Sequence, residues 1–372
     1  MAMQDIKLDP HLLTVPPNIG GIPTEVVEAQ YGLACVEMGS NENSFGASPR
    51  AIAAFQQAMQ KPHRYPGAMD KRLREKLAAH YNARHAASLT PENFLTGNGS
   101  SDVIRMLIQS LVFDGGQVVF SNPTFPLYKI FTQQYGGKPT PIPHQNYHHD
   151  LQAMADAIAA DTRIVFVCNP NNPTGTIVSR EQVEKFMTRV PPSVMVAFDE
   201  AYCEFVDQRD YSNALDYVLA GRDNVLVLKT FSKVYGLANL RVGYAIGTRP
   251  MIEYLAHAQL AFNTGDPNLS VAMAALEDQA FVENTRQMVA TEKQFLCDGL
   301  TQLGVRYVPT QANFVLMVEL RDVPSINEGM LRRGVIVRPM GGFGMPTAIR
   351  VTIGTREQNE KMLGALRQVL QS

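Results

Sequence analysis

Four groups of polar residues follow predicted strands, and their side chains include a primary amine, a carboxylate and several hydroxyls. In chain order they are residues 98–101 (NGSS), 169–175 (NPNNPTG), 199–202 (DEAY) and 230–233 (TFSK), with Arg241 eight positions after Lys233. Taken singly, each group is more often structural, because a GNG triplet is usually a turn and an acidic pair after a strand often caps a helix. Taken together, they offer a reactive amine, an acid partner and an anion site.

One cofactor requires all of these groups. Pyridoxal phosphate binds a lysine amine as a Schiff base, places a carboxylate at its ring nitrogen and needs a pocket for its phosphate. Lys233 can supply the amine and Asp199 the carboxylate. We therefore predict a pyridoxal phosphate site and no metal site.

The phosphate pocket is predicted at a junction between a strand and a helix. Gly99, Ser100 and Ser101 precede the apolar helical pattern DVIRMLIQSLV, and free N–H groups at a helix start bind anions. The remaining groups that could complete this pocket are the hydroxyls of Thr230 and Ser232 and the guanidinium of Arg241. Each charge-assisted hydrogen bond contributes roughly 1.5–3 kcal/mol, so five or six of them hold a phosphate firmly.

Asp199 ends the apolar run VMVAF, so its carboxylate is predicted to be semi-buried. A buried carboxylate without a partner tends to become protonated, and a pyridinium nitrogen removes this cost because each charge stabilises the other. A protonated ring also withdraws electrons from the substrate Cα. Tyr202 and Asn172 can donate hydrogen bonds to the phenolate oxygen of the cofactor ring.

Short apolar runs alternate with helical patterns between residues 94 and 250. The strand candidates are QVVFSNP, RIVFVCNP, VMVAFDE, NVLVLKTF and RVGYAIG. Strands that are apolar on both faces and alternate with helices indicate a largely parallel α/β sheet, which places its ligand at the carboxyl ends of the strands. The four polar groups stand at such ends.

The chain is divided into three predicted parts. Residues 1–48 are rich in Pro, Gly and Asn and form an arm with one short helix near Thr24–Tyr31. Residues 49–250 form the large cofactor-binding domain, with helices at 49–60 and 69–80. Residues 251–372 form a smaller α+β domain, with long helical segments at 251–303, a helix at 325–333 and a final amphipathic helix.

Composition favours a globular enzyme of a reducing compartment. The 372 residues are 45% hydrophobic and carry a formal net charge of −2, with no basic stripe of the kind that binds nucleic acid. No apolar run is long enough to span a membrane, and the start MAMQDIKLDP does not resemble a secretory signal. The four cysteines form no CxxC pair, so we predict a cytoplasmic protein with free thiols.

The chain resembles the fold-type I pyridoxal phosphate-dependent aminotransferases of class I/II, and within them the histidinol-phosphate aminotransferase group. The resemblance covers nearly the whole chain and is strongest in NENSFGASP, TGNGSSDVI, NPNNPTG, FDEAYCEF, TFSKVYGLANLRVGYAIG, GVIVRPM and AIRVTIGTREQN. It implies a mostly parallel seven-stranded sheet in the large domain and a homodimer with shared active sites. It also implies an amino donor and a 2-oxo acid acceptor as substrates.

The resemblance assigns four further residues. It implies that Phe125 stacks on the pyridine ring and that Tyr65 reaches the cofactor phosphate of the neighbouring subunit. Arg350 would form a bidentate pair with the substrate α-carboxylate, and Arg338 would contact the distal end of the substrate, where a phosphate would sit. Alone, Phe125 would be an ordinary core phenylalanine, Tyr65 a tyrosine in a surface turn and Arg350 an edge-strand charge.

Two segments differ from the histidinol-phosphate group. Asn18 occupies the arm position where a tyrosine often binds the substrate phosphate, and Gly265 and Asp266 replace the usual Asn and Ser. Both segments line the substrate entrance in the family, and an inward-facing acid there would repel a phosphate. These differences keep the choice of amino donor open.

The resemblance implies a ping-pong transamination in which Lys233 removes the Cα proton and returns it, with histidinol phosphate as donor and 2-oxoglutarate as acceptor. Three alternatives remain. They are an aminotransferase for aromatic or other amino acids, a decarboxylase of the threonine-phosphate type, and the ligand-sensing domain of a transcription regulator.

Overall fold

The computed structural model of the chain describes residues 7–15, 20–67 and 69–371. Thirteen α-helices lie in these segments: α1 Thr24–Tyr31, α2 Pro49–Ala58, α3 Met69–His85, α4 Ser100–Leu111, α5 Leu127–Gln134, α6 Leu151–Asp156, α7 Arg180–Arg189, α8 Leu215–Leu219, α9 Arg249–Leu255, α10 Asp266–Glu277, α11 Gln279–Gln302, α12 Val323–Leu331 and α13 Arg356–Gln371. Among these helices, none is long and apolar enough to cross a membrane.

The same segments contain thirteen β-strands, several of which are only two residues long. They are β1 Val36–Glu37, β2 Phe94–Asn98, β3 Gln117–Asn122, β4 Lys138–Pro143, β5 Thr162–Cys168, β6 Met195–Asp199, β7 Val225–Thr230, β8 Val242–Ile246, β9 Tyr307–Val308, β10 Phe314–Met317, β11 Val335–Ile336, β12 Arg338–Pro339 and β13 Ile349–Thr352.

Seven strands form the central sheet in the order β2-β8-β7-β6-β5-β3-β4. All neighbouring pairs are parallel except those of β8, which runs antiparallel to both β2 and β7. The carboxyl ends of β2, β5, β6 and β7 therefore meet at one edge, and β8 begins at that edge. The predicted seven-stranded, mostly parallel α/β sheet is confirmed.

Both faces of this sheet are buried, as the unbroken apolar strands predict. Along β6, Val196 and Phe198 join one hydrophobic cluster, whereas Met195 and Ala197 join a second cluster on the opposite face. Full burial of such a side chain stabilises the fold by roughly 1.5–3 kcal/mol. Two packed faces leave the ends of the strands as the place where polar groups can gather.

The C-terminal part contains a four-stranded antiparallel sheet in the order β12-β13-β10-β9, with helices α11 and α12 packed against it. A separate pair is formed by β1 of the predicted arm, which runs parallel to β11 with Glu37 opposite Ile336. The end of the arm therefore lies against the C-terminal residues. The division into three parts, with boundaries at 48/49 and 250/251, stays a prediction.

Several element bounds differ from the sequence predictions. Strand β4 was not predicted, because three of its six residues are proline; it pairs with β3 alone, and proline is tolerated on such an edge strand. Helix α12 begins at Val323 instead of residue 325, since the Asp322 side chain caps it by accepting from Ser325 N–H. The short helix Thr24–Tyr31 is confirmed.

Candidate active site

The edge where the strand ends meet opens into a cavity of about 1000 Å³. It is lined by residues from the arm, the central sheet and the C-terminal strands, which brings together most of the predicted site residues. Those that line it are Ser100, Ser101, Phe125, Asn172, Asp199, Tyr202, Thr230, Ser232, Lys233, Arg241, Arg338 and Arg350. Gly99 caps the adjoining helix α4, and Tyr65 lies elsewhere.

Lys233 follows β7 and projects into the cavity. Its Nζ donates to the backbone carbonyls of Ser40 at 3.3 Å and Asn41 at 3.2 Å, and it lies 5.6 Å from the centre of the Tyr202 ring. Burial, followed by the positive charge of Arg350, lowers the pKa of Lys233 to about 8. A sizeable fraction of this amine is therefore neutral near physiological pH, the form that attacks an aldehyde carbon.

Asp199 is more deeply buried than predicted, with only 3% of its surface exposed. Burial raises the pKa of its carboxyl, and hydrogen bonds from Tyr128 Oη to Oδ2 at 2.6 Å and from Ala201 N–H to Oδ1 at 3.2 Å oppose this effect. Asp199 forms no salt bridge with any residue in the described segments. The buried Lys229 pairs with the neighbouring Glu200 at 2.7 Å instead. A cationic ring nitrogen would satisfy this carboxylate.

Tyr202 and Asn172 are both buried at the wall of the cavity. The Tyr202 hydroxyl accepts a hydrogen bond from Asn41 Nδ2 at 3.1 Å, and burial raises its pKa to about 12. It therefore stays protonated and can donate to a ligand. The Asn172 side-chain oxygen accepts from Arg350, which leaves the amide N–H groups of Asn172 as donors.

The anion pocket is built around Gly99, which precedes α4 with a φ of 74°. A side chain at Gly99 would overlap the Arg241 guanidinium, so the absence of a Cβ lets this cation approach the helix start. Arg241 Nη1 lies 3.4 Å from Ser232 Oγ, and Ser232 Oγ accepts from Thr230 Oγ1 at 2.9 Å. A helix N-terminus, hydroxyls and a guanidinium therefore surround one space, as a phosphate requires.

Two arginines project from neighbouring strands beside this pocket. Arg338 on β12 stands directly opposite Arg350 on β13 in the antiparallel register. Arg350 is 5% exposed, donates to the Gly39 carbonyl at 2.7 Å and leaves its buried Nε without a partner. Burial and the charge of Arg338, opposed in part by nearby Tyr202 and Glu37, lower its pKa to about 10. Like charges placed opposite each other are unfavourable, so this pair favours an anionic ligand.

The two aromatic candidates lie in different places. Phe125 lines the cavity and packs edge-on against Tyr128, with ring centroids 5.7 Å apart. Tyr65 is 78% exposed and stacks on Phe262 at 4.6 Å, outside the cavity of its own chain. Its predicted contact with a neighbouring subunit stays a prediction.

The segments that differ from the family pattern do not bring an acid into this cavity. Gly265 precedes α10, and the Asp266 carboxylate accepts from Gly67 N–H at 3.2 and 3.3 Å instead of lining the cavity. Within one chain, Asp266 is therefore not placed to repel a substrate phosphate in this cavity. Asn18 lies outside the described residues.

Three contributors to the site were not predicted from the sequence. Tyr128 holds Asp199, Asn41 holds Tyr202, and the Gly39 carbonyl holds Arg350. Tyr128 ends the segment NPTFPLY, and Asn41 is the first asparagine of SNENS. A single polar residue in such a segment is only a weak sign of a role in the site. The pairing of Gly39 with Arg350 joins residues 311 positions apart, and no local pattern indicates it.

The residues at this edge fit pyridoxal phosphate. They provide a partly neutral lysine amine, a buried carboxylate that forms no salt bridge with a described residue, and an anion pocket beside Gly99. The fold and the site together define a class, the α/β enzymes that work through an active-site lysine.

The chain belongs to the aminotransferase class I and II family, whose model it matches over residues 34–366. This family depends on pyridoxal phosphate. The histidinol-phosphate aminotransferase of Moorella thermoacetica is 42% identical over 360 residues, which cover 96% of this chain and 92% of that protein. The histidinol-phosphate aminotransferase of Anaeromyxobacter sp. is 38% identical, over 97% of this chain and 98% of that protein.

A solved structure agrees with these sequence relatives. The histidinol-phosphate aminotransferase of Sinorhizobium meliloti, in complex with pyridoxal-5'-phosphate, superimposes with a TM-score of 0.89 at 25% identity, covering 100% of this chain and 99% of that chain. The predictions of an enzyme and of an aminotransferase fold are therefore confirmed.

Proposed function

We propose that this aminotransferase moves an amino group from histidinol phosphate to 2-oxoglutarate, using pyridoxal phosphate bound through Lys233. The observation that carries the substrate proposal is the pair of guanidinium groups, Arg338 and Arg350, in the cavity that contains Lys233. Histidinol phosphate carries a phosphate and 2-oxoglutarate carries two carboxylates. Both substrates of a ping-pong reaction occupy the same site, so each needs cationic partners there. The names of the relatives support the same donor.

The proposed roles at the cofactor follow from charge and hydrogen bonding. When bound, pyridoxal phosphate supplies an electron sink for the substrate Cα. Asp199 would hold the charge of the ring nitrogen, while Tyr202 and Asn172 would donate to its phenolate oxygen. Phe125 would pack on the ring.

The phosphate of the cofactor would occupy the anion pocket described above. The N–H groups at the start of α4 and the hydroxyls of Ser100, Ser101, Thr230 and Ser232 would surround it, with Arg241 closing the pocket beside Gly99.

Lys233 would carry the proton transfer. Its Nζ would take the proton from the substrate Cα and later give it back, acting as base and then as acid. The low pKa of this amine suits both steps, because neither the neutral nor the charged form is strongly disfavoured near neutral pH. Arg350 would fix the anionic end of the substrate so that this proton faces Lys233.

We further propose a homodimer in which Tyr65 of each chain reaches the cofactor phosphate of its neighbour. Its exposed ring, stacked on the exposed Phe262, is free to contact another chain. The division into an arm (1–48), a large domain (49–250) and a small domain (251–372) is part of the same proposal.

A panel of half-reactions tests the function. Purified holoenzyme is mixed with histidinol phosphate, phenylalanine, tyrosine or glutamate, and conversion of the bound cofactor to its amino form is followed by absorbance. Histidinol phosphate should give the highest kcat/KM, and turnover should require 2-oxoglutarate. A higher value for phenylalanine or tyrosine would favour an aromatic aminotransferase, and release of CO2 without 2-oxoglutarate would favour a decarboxylase. The variant Lys233→Ala should lose both the cofactor's absorbance and all turnover.

A further inference from the structure

One carboxylate in the cavity has no role in the chemistry above. Among the described residues that line the cavity, only Asp199 and Glu37 are acidic. Asp199 is assigned to the cofactor ring nitrogen. Glu37 is therefore the acidic group that remains for the substrate.

The side chain of Glu37 faces the cavity because of the alternation along the strand. Met38, the next residue, is fully buried in the hydrophobic core and donates its N–H to the Ile336 carbonyl at 2.8 Å. Successive side chains of an extended segment point to opposite sides, so Glu37 and Gly39 share the side away from the core. Both line the cavity.

The backbone of one residue, Gly39, links Glu37 to Arg350. Gly39 N–H donates to Glu37 Oε1 at 2.7 Å, and the Gly39 carbonyl accepts from Arg350 at 2.7 Å. A Cβ at Gly39 would come within 3.3 Å of Glu37 Oε1 and 3.2 Å of the Val337 carbonyl carbon. Because Gly39 has no side chain, the Glu37 carboxylate can lie close to the Gly39 backbone, on the side of the cavity where Arg350 lies.

The Glu37 carboxylate is only partly satisfied in this position. Burial raises its pKa, and hydrogen bonds from Gly39 and Ser40 oppose that effect. It forms no salt bridge with any described residue, and an ionised carboxylate can accept about four hydrogen bonds. It therefore retains acceptor capacity for a substrate N–H group.

We propose that Glu37 determines donor specificity by accepting a hydrogen bond from a side-chain ring N–H, and so selects an imidazole over a phenyl ring. This inference rests on the proposed function and deepens it. An imidazole N–H meets the half-buried carboxylate, whereas a phenyl ring covers the carboxylate without giving it a partner. Sites built to hydrogen-bond a substrate group discriminate strongly against analogues that lack it.

Because Glu37 is an acid, the two possible roles of its carboxylate predict opposite effects of its removal on the activity with histidinol phosphate. If this carboxylate had no N–H partner, its removal would relieve repulsion of the donor's phosphate and raise the activity with histidinol phosphate. If it accepts an imidazole N–H, its removal lowers that activity despite the relieved repulsion. The direction of the change decides between the two cases.

The test compares Glu37→Met and Glu37→Gln with the wild type in two half-reactions, those of histidinol phosphate and glutamate. Glu25→Gln is the matched control, since Glu25 is an exposed acid in the first turn of α1 and does not line the cavity. Glu37→Met should lower kcat/KM for histidinol phosphate roughly 10- to 100-fold, the effect of one hydrogen bond to a charged acceptor. Glutamate has no ring N–H, so its kcat/KM should stay the same or rise in both variants.

The glutamate half-reaction also reports whether the variants fold and bind cofactor. An unchanged or increased kcat/KM for histidinol phosphate in both variants would overturn the role of Glu37 while leaving the proposed function intact. Equal losses for both donors would also overturn it, because a specificity residue must change their ratio. A wild-type enzyme that reacts with glutamate but not with histidinol phosphate would overturn the proposed function, and with it this inference.

Discussion

Replacing Tyr128 with phenylalanine isolates the hydrogen bond that holds Asp199. The Tyr128 ring is fully buried and stacks on Phe166, with centroids 4.3 Å apart and ring planes 7° apart. A phenylalanine keeps this packing and removes only the hydroxyl, which donates to Asp199 Oδ2 at 2.6 Å. The pKa of Tyr128 is raised well above its usual value by burial and by Asp199, so this hydroxyl remains a donor at every accessible pH.

The expected loss of stability follows from the strength of the hydrogen bond between Tyr128 and Asp199. A hydrogen bond to a charged acceptor contributes about 1.5–3 kcal/mol, and one pKa unit corresponds to about 1.4 kcal/mol. Tyr128 is the strongest of the groups that oppose the burial of Asp199. Its loss should therefore raise the pKa of Asp199 further and lower the free energy of unfolding by about 1.5–3 kcal/mol while Asp199 is ionised.

The pH dependence distinguishes this mechanism from a packing defect. Because the folded-state pKa of Asp199 lies above its unfolded value, ionisation of Asp199 costs stability, and this cost appears as the pH rises through the unfolded value. In Tyr128→Phe the cost is larger and continues to grow up to the raised folded-state pKa. The difference from wild type should thus be larger at about pH 8 than at about pH 5, because it grows with the ionised fraction of Asp199.

Urea unfolding of the cofactor-free protein at these two pH values measures the effect. The control is Tyr217→Phe, since the Tyr217 ring stacks against Phe198 with planes 2° apart and its hydroxyl makes no hydrogen bond within the described residues. This variant should change the free energy of unfolding little at either pH. Equal losses for the two variants, or a Tyr128→Phe loss that does not depend on pH, would refute the reasoning.

Three other predictions concern the ligand sites. Arg350→Lys keeps the charge but loses the planar fork, so kcat/KM for anionic donors should fall roughly 10- to 100-fold in steady-state assays. Gly99→Ala should weaken cofactor affinity in a titration because its Cβ overlaps Arg241, whereas Gly304→Ala, at a similar positive φ of 69° but with no neighbour within 4 Å, should lose stability alone. The rate of cofactor uptake should rise with pH through about 8, as Lys233 becomes neutral; a flat profile would contradict this.

The cofactor half of the site could be predicted from the sequence because its residues follow strands of one parallel sheet. Strands β2, β5, β6 and β7 end at Asn98, Cys168, Asp199 and Thr230, and each polar group begins at that residue or at the next one. Parallel strands bring their carboxyl ends to one edge, so four local patterns were enough to bring distant residues together. The same argument accounts for Arg241, which stands at the start of antiparallel β8.

Other features could not be predicted from local patterns. The three prolines of β4 hide the strand pattern in the sequence. The strand can form because β4 lies at the edge of the sheet, where proline is tolerated. Tyr128 lies within a helix, and only its packing on Phe166 directs its hydroxyl to Asp199. Both depend on a neighbouring element that is distant in the sequence.

The substrate half of the cavity depends on strand register, which explains why the sequence left the donor open. Arg338 meets Arg350 because β12 pairs with β13 in one antiparallel register, across a loop rich in glycine. A shift by one residue would turn Arg338 to the opposite face and leave Arg350 alone in the cavity. Glu37 reaches the same place through a different pairing, that of β1 with β11. Under the proposed function, donor specificity would be set where three distant segments meet, and a substitution that alters either register should change the substrate while leaving the cofactor site unaffected.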